Sequence, residues 1–210
     1  MSAVGGAPMK PLRPVASVSA LPTVTFGPRS IMWWGTLGFM TIEGWTTALL
    51  VASYLYLRQN YDAWPPLRTP YPSLLIPTIN LALMLISYIP MRLTQDAATK
   101  LDEGRVKRWL VVSSMISLPI LVLRWWELWA INVRWDTNAY GSAAWVIVGF
   151  HTSLLLLDVA DTWGLTLFYF LRKMPLKAFS DTSDNSVYWY FTVGVWIPIY
   201  LIIYVGPRIF

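Results

Sequence analysis

Five long runs of apolar residues, each long enough to cross a bilayer, constrain this chain more than any other feature. They cover 31–57, 71–91, 109–132, 139–171 and 187–206 of a 210-residue sequence. A helix needs ~20 such residues to cross a ~30 Å hydrocarbon layer. Lipid offers the backbone no hydrogen-bond partners, so each run must be a helix that satisfies its own polar groups. A β-barrel is excluded, because the runs are continuously apolar and do not alternate. The expected fold is an all-α membrane protein, a bundle of five transmembrane helices within 29–210. The fourth run exceeds one bilayer thickness, which predicts tilt or an extension beyond the lipid. Pro77, Pro90, Pro119 and Pro198 lie in or at the ends of these runs and predict kinks or boundaries. No internal repeat is visible, which argues against an inverted-repeat transporter.

Composition sharpens the function classes. Hydrophobic residues make up 56% of the chain and charged residues 13%, where a soluble domain carries about 25% charged. Thirteen Trp and eleven Tyr suit the membrane–water boundary. The chain has no Cys, which excludes disulfides, iron–sulfur clusters, thiolate zinc sites and Cys nucleophiles. Its single His, His151, excludes a haem or copper site needing two imidazoles from this chain alone. The net charge of +5 does not indicate nucleic acid, because the basic residues flank apolar runs and form no separate basic domain. There is no phosphate-binding glycine loop, nucleophile elbow or H-E-x-x-H motif. No catalytic, cofactor-binding or metal-ligating residue is assigned.

Residues 1–28 contain Pro8, Pro11, Pro14, Pro22 and Pro28 and too few apolar residues to fold alone. They read as a disordered tail or as an extended arm on a partner subunit. They lack the continuous apolar core of a signal peptide. With five crossings, the N-terminal segment, 92–108 and 172–186 share one side. That side holds Lys10, Arg13, Arg29, Arg92, Lys100, Arg105, Lys107, Arg108, Arg172, Lys173 and Lys177. The other holds Arg58, Arg68, Arg134 and Arg208. This asymmetry places the N-terminus in the cytoplasm and the C-terminus outside. The stretch 100–108, which also carries Asp102 and Glu103, reads as a solvated loop able to touch lipid headgroups.

Six ionisable residues fall within the runs: Glu43, Arg124, Glu127, His151, Asp158 and Asp161. A charge at the bilayer centre costs about 2.5–3.5 kcal/mol on insertion scales, so these side chains should face the bundle interior or a subunit interface. Arg124 and Glu127 are three apart and share one helix face. His151 is at a similar depth on the next helix, so an ion-pair and hydrogen-bond cluster is expected among the three. Asp158 and Asp161 lie deeper, with Thr162 beside them. These groups read either as structural glue between helices or as a proton relay or ion site. The second and fifth runs supply no ionisable residue to a relay. The aromatic stretch 187–196, with Tyr188 and Trp189, reads as an interfacial belt or helix contact, with a pocket wall as the alternative.

Several motifs together resemble subunit III of the haem-copper oxidases, the cytochrome c oxidase subunit III family, from about residue 31 to the end. Glu43 stands where that family has an acidic residue in a helix, and Trp64-Pro65-Pro66 is similar to its W-P-P turn. Glu127 resembles the Glu of its Q-x-x-E-Y stretch, with Arg124 in place of Gln. Gly149-Phe150-His151 matches the start of G-F-H-x-x-H, with Leu154 replacing the second His. Tyr188-Trp189-Tyr190-Phe191 and Val195-Trp196 resemble Y-W-H-F-V-D-V-V-W, with Tyr190 for His and Gly194 for Asp. Asp158 stands where Gly is usual. The chain thus resembles a divergent five-helix bacterial member without the family's two extra N-terminal helices.

The resemblance implies a non-catalytic subunit that binds no haem or copper. It implies packing on oxidase subunit I, which carries haem and copper, alongside other oxidase subunits including a copper-bearing subunit II. It further implies bound phospholipid, support of proton uptake and turnover during oxygen reduction, and a multi-pass place in the bacterial inner membrane, within a larger respiratory supercomplex as a further expectation. Glu43 would be a lipid-cleft carboxylate, with Glu127 and His151 a polar pair inside the larger helix group. The electron donor, cytochrome c or quinol, is not legible. Two other readings stay open: an accessory subunit of nitric oxide reductase, and an independent transporter using Asp158 and Asp161.

Overall fold

The computed structural model describes residues 24–172 and 174–209; residues 1–23 of the predicted arm lie outside them. Among the described residues the chain forms five long helices and no strand. They are α1 (Ile31–Arg58), α2 (Leu75–Thr99), α3 (Glu103–Trp129), α4 (Ala139–Leu171) and α5 (Lys177–Tyr200). α5 runs on through a π-helical turn, Leu201–Val205, and a 3₁₀ turn, Gly206–Arg208. α2 packs on α3 and α5, α3 on α4, and α1 lies against α4 and α5.

The bundle is apolar outside and polar within. On α1 the large exposed side chains include Trp34, Phe39, Ile42, Trp45, Leu49 and Tyr56, while Glu43, Thr47 and Tyr54 are buried. On α3, Leu118, Val122, Trp125 and Trp129 face out, while Ser113, Ser114, Ser117, Arg124 and Glu127 face in. Such a surface is stable only where lipid is the solvent. Four helices, α2, α3, α4 and α5 with its continuation, are long and apolar enough to cross a membrane. α1 has the length, 28 residues, or about 42 Å at 1.5 Å per residue. Its Gly, Thr, Trp and Glu43 dilute its hydropathy, so it stands outside that set.

α4 occupies 139–171, the range expected from sequence. Its start is fixed locally. The Asn138 side chain caps the helix by accepting from Gly141 N at 2.8 Å. Gly141 also packs so closely on the Arg134 carbonyl that a Cβ there would collide with it. α1 starts at Ile31 as expected and ends one residue beyond its predicted run, while the remaining boundaries move further. α2 begins four residues later than its predicted run and extends to Thr99. α3 begins at Glu103, six residues earlier than expected, because Asp102 caps it by accepting from Arg105 N at 3.0 Å. Glu103 then sits in the first turn, where the helix dipole favours an acid.

The expected solvated loop at 100–108 is therefore corrected. Only Lys100–Asp102 joins the two helices, and Leu101 takes a left-handed φ of 56° to turn the chain. Arg105 and Lys107 lie on α3, paired with Asp102 at 3.2 Å and Glu103 at 2.7 Å. The expected 172–186 loop is corrected too, because α5 starts at Lys177, ten residues before its predicted run. Residues 178–186 are polar in sequence yet mostly buried, Ser180, Thr182, Ser183, Asp184, Asn185 and Ser186 among them. Hydropathy alone reads such a stretch as solvated, and its partners are side chains instead.

The main core runs through the bundle and includes Met84, Ile120, Ile147, Leu155, Trp189 and Trp196. A smaller cluster of Ala97, Ala98, Val106, Leu110, Tyr169 and Phe179 closes one end, and Phe26 of the N-terminal segment packs on it. In the α1–α2 connection, Trp64 is buried with its ring edge-on to Tyr54 and Tyr140, centroids 5.3 Å away from each. The W-P-P turn is thereby pinned to α1 and α4.

Candidate functional site

Two polar clusters lie inside the bundle. The first forms around Arg124 on α3. Its Nη1 is 3.0 Å from Glu127 Oε2, and the two side chains are 1% and 0% exposed. The i,i+3 spacing sets the pair on one face, and Asn80 of α2 donates through Nδ2 to the same Glu127 oxygen at 2.6 Å. Arg124 Nη2 lies 3.5 Å from His151 Nδ1 on α4. The flat guanidinium stacks on Trp196 of α5, 3.6 Å from the ring centroid, a cation–π contact that desolvation strengthens. His151 is itself fixed from both sides: its Nε2 lies 2.9 Å from the Thr192 carbonyl, and its ring packs on Trp196 at 4.7 Å. A carbonyl only accepts, so Nε2 carries the proton and Nδ1 offers its lone pair to Arg124. Tyr204 donates to the Glu127 carbonyl at 3.1 Å.

Arg124, Glu127 and His151 thus meet, and four helices converge on them. Sequence reasoning did not find Asn80, Thr192 and Tyr204, and it read Trp196 only as part of the aromatic stretch 187–196, without placing it on Arg124. The signal for Asn80 was present, as a lone amide in an otherwise apolar run, where such a side chain usually bonds across helices. Nothing in the sequence marks Thr192, whose backbone carbonyl does the work.

The second cluster lies where α1, α4 and α5 meet. Tyr188 donates its hydroxyl to both Glu43 oxygens, at 2.9 and 2.8 Å. This pair ties α1 to α5 inside the bundle. On α4, Asp158 is fully buried and Asp161 exposed. Asn185 Nδ2 reaches both, at 3.4 Å to Asp158 Oδ1 and 3.1 Å to Asp161 Oδ2, and Thr162 donates to Asn185 Oδ1 at 3.2 Å. Asp181 and Asp184 face the same place from α5, so the expectation that the fifth helix brings no ionisable group is corrected. These residues border a cleft of about 580 Å³. Trp189 points elsewhere: it is buried and donates Nε1 to Ser87 Oγ of α2 at 3.0 Å, a helix contact and not an interfacial belt position.

The chemistry open to these clusters is limited. The Arg124 cluster is sealed from solvent and holds its charges in fixed pairs. The acidic cluster is open, yet among the described residues no three His, Cys, Asp or Glu are grouped so as to hold a metal ion. Neither contains a nucleophile beside a base that another group orients, the arrangement that covalent catalysis uses.

Comparison with known proteins gives a consistent result along most of the chain. It is 27% identical over 187 residues to cytochrome c oxidase subunit 3 of Synechocystis sp., covering 85% of this chain and 77% of the relative. It is 25% identical to cytochrome c oxidase subunit 3 of Thermostichus vulcanus, covering 83% and 87%. It is 28% identical to the probable cytochrome c oxidase subunit 3 of Mycobacterium tuberculosis, covering 81% and 85%. No family model matches the chain. This likeness, over a bundle that buries Glu43, Arg124, Glu127, His151 and Asp158 and exposes many large apolar side chains, makes the chain a divergent homologue of the proteins named cytochrome c oxidase subunit 3.

Proposed function

We propose that this protein is an accessory subunit of a respiratory haem-copper oxidase, working by packing on the catalytic subunit I and carrying no reaction itself. The observation that supports this best is the likeness to proteins named cytochrome c oxidase subunit 3 over more than four-fifths of the chain, in cyanobacterial and mycobacterial relatives alike. The bundle suits such a role. Its strongest charges are consumed in tying helices together, and its outer surface is apolar enough to accept lipid or another membrane subunit.

In this reading, haem and copper reside in subunit I, with copper in subunit II, and the present chain holds phospholipid with its acyl chains, not its headgroup, toward Glu43 and sustains proton uptake during turnover. The chain lies in the bacterial inner membrane with its N-terminus in the cytoplasm, the side favoured by the basic residues.

Purification through a tag on this chain, followed by mass spectrometry of the intact complex, tests the assignment. Oxidase subunit I should co-purify in equal amount, and its oxygen-reducing activity should survive. Recovery with a nitric oxide reductase, or of the chain with no haem protein, would overturn the reading. Deleting the chain should leave the haem spectrum of subunit I intact while turnover stops earlier. Loss of all haem on deletion would show that the chain is needed for cofactor assembly instead.

A further inference from the structure

The cleft between α1, α4 and α5 has a division of labour in its walls. Asp158 and Asp161 of α4 and Asp181 and Asp184 of α5 line one side. The other side is α1, where Met32, Gly35 and Phe39 recur at helical spacing. Among the described residues no Lys, Arg or His lines the cleft. Lys177 acts on Asp181 from the start of α5 but is not part of the lining.

The carboxylates are also short of partners. Asp184 is only 5% exposed, and neither of its oxygens has a hydrogen-bond partner among the described residues. Asp158 is 0% exposed; Asn185 reaches its Oδ1 and the Thr192 side chain lies beside it, while its Oδ2 has no geometric hydrogen-bond partner among the described residues. Two other buried carboxylates are better held: Glu43, beside the cleft, accepts twice from Tyr188, and Glu127 Oε2 meets Arg124 and Asn80, although Glu127 Oε1 has no partner among the described residues. A buried, unpartnered carboxylate is costly, and several facing one space compound that cost unless a countercharge enters or protons neutralise them.

We infer that this cleft is a binding site for an amphiphilic organic cation, an ammonium group carried on an apolar chain. The ammonium sits among Asp158, Asp161, Asp181 and Asp184, and the chain lies along Met32, Gly35 and Phe39. Two features select this ligand over a bare metal ion. The volume of about 580 Å³ is far larger than a dehydrated ion fills, and no three carboxylates converge as ligands would. The rings of Phe39 and Tyr188, 5.9 Å apart, stand at the cleft and favour an alkylammonium through their faces. A phosphate-bearing headgroup is disfavoured by the same four carboxylates. The inference does not rest on the oxidase assignment, since it concerns only this chain and its lipid.

The test compares three spin-labelled amphiphiles of equal chain length: stearyltrimethylammonium, phosphatidylcholine and phosphatidylglycerol. Each is added to phosphatidylcholine vesicles holding the full-length chain, and electron paramagnetic resonance reads the immobilised fraction. The overall charge of +5 should attract the anionic label and repel the cation. The site predicts the reverse, with the ammonium label held about fivefold over phosphatidylcholine. Asp158→Asn with Asp184→Asn should bring that preference close to one. Gly35→Leu keeps all four carboxylates and fills the apolar wall, where nothing among the described residues lies within 4 Å of an added Cβ. It should lower ammonium binding as well, and it decides the matter if the double variant loses helical content. An ammonium label held no better than phosphatidylcholine by the wild-type chain would overturn the inference, because the carboxyls then carry their own protons. A preference that survives both changes would overturn it too.

Discussion

The Arg124 cluster and the acidic cleft share helices α4 and α5, yet they solve the problem of charge in a membrane in opposite ways. Around Arg124 each ionic group has a countercharge or an aromatic face, and the cluster is closed, with Arg124, Glu127 and His151 at most 1% exposed. In the cleft the ionisable groups all have one sign, and an amide, Asn185, is the polar link between two of them. A closed, neutralised cluster can fix how helices pair. An open cluster of one sign has chemistry left over. The first therefore belongs to the architecture, and the second is where this chain can still bind something.

The sharpest way to break that contrast is to remove Glu127. Glu127→Ala leaves Arg124 buried without its carboxylate, and removing one partner of a buried pair costs about 3–5 kcal/mol. Thermal unfolding in detergent should move strongly to lower temperature. An unchanged transition would mean that the cluster is wet or open in the membrane, and the contrast would fail. Replacing both partners tests whether the pair contributes stability or only specificity. Arg124→Met with Glu127→Leu removes both charges together, and such exchanges are often neutral or stabilising by about 1–4 kcal/mol. Most of the loss seen in Glu127→Ala should therefore be recovered. If the double variant is as unstable as the single one, then Asn80, His151 and Trp196 depend on Arg124 more than the pair geometry implies.

A smaller effect is expected where the tie between helices is neutral. Trp189→Phe removes the hydrogen bond to Ser87 while keeping an aromatic ring in the core, and a net hydrogen bond is worth about 0.5–1.5 kcal/mol. The unfolding temperature should fall modestly, and by less than for Glu127→Ala. A loss as large as that of Glu127→Ala would show that α2 and α5 are held mainly by this contact and not by the ion-pair cluster.

The sequence made the first cluster more legible than the second, for a physical reason. Arg124 and Glu127 are charges in an apolar background, three residues apart, so both their cost and their shared face can be read directly. α4 could be placed to the residue because its apolar run coincides with the capped helix. Lys177 to Ser186 could not be placed, because hydropathy records what a side chain would prefer and not what surrounds it. Asp181, Asp184 and Asn185 read as solvated loop, yet they form the first turns of α5 and pack against α4 and α1. The acidic character of the cleft depends on that misplaced segment. Asp158 and Asp161 alone suggested a pair, whereas the fold brings two more carboxylates to them from across the bundle. The Thr192 carbonyl that orients His151 was beyond reach for a related reason, since every residue carries a carbonyl and only the packing of α5 on α4 singles this one out.

The smallest effect should come from the cleft itself, and its sign separates the two clusters most cleanly. Asp184 is buried beside other carboxylates, and its oxygens have no hydrogen-bond partner among the described residues. Asp184→Asn keeps the shape and removes a charge that nothing among the described residues pairs with. In the absence of any ligand, stability should stay within about 1 kcal/mol of wild type or rise slightly, because no favourable pairing is lost and a desolvation cost is relieved. Thermal unfolding of the variant and the wild type in the same nonionic detergent measures this directly. A loss approaching that of Glu127→Ala would mean that Asp184 is held in place by a partner within the chain. The cleft would then be a second structural knot like the one around Arg124, with nothing left over for a ligand.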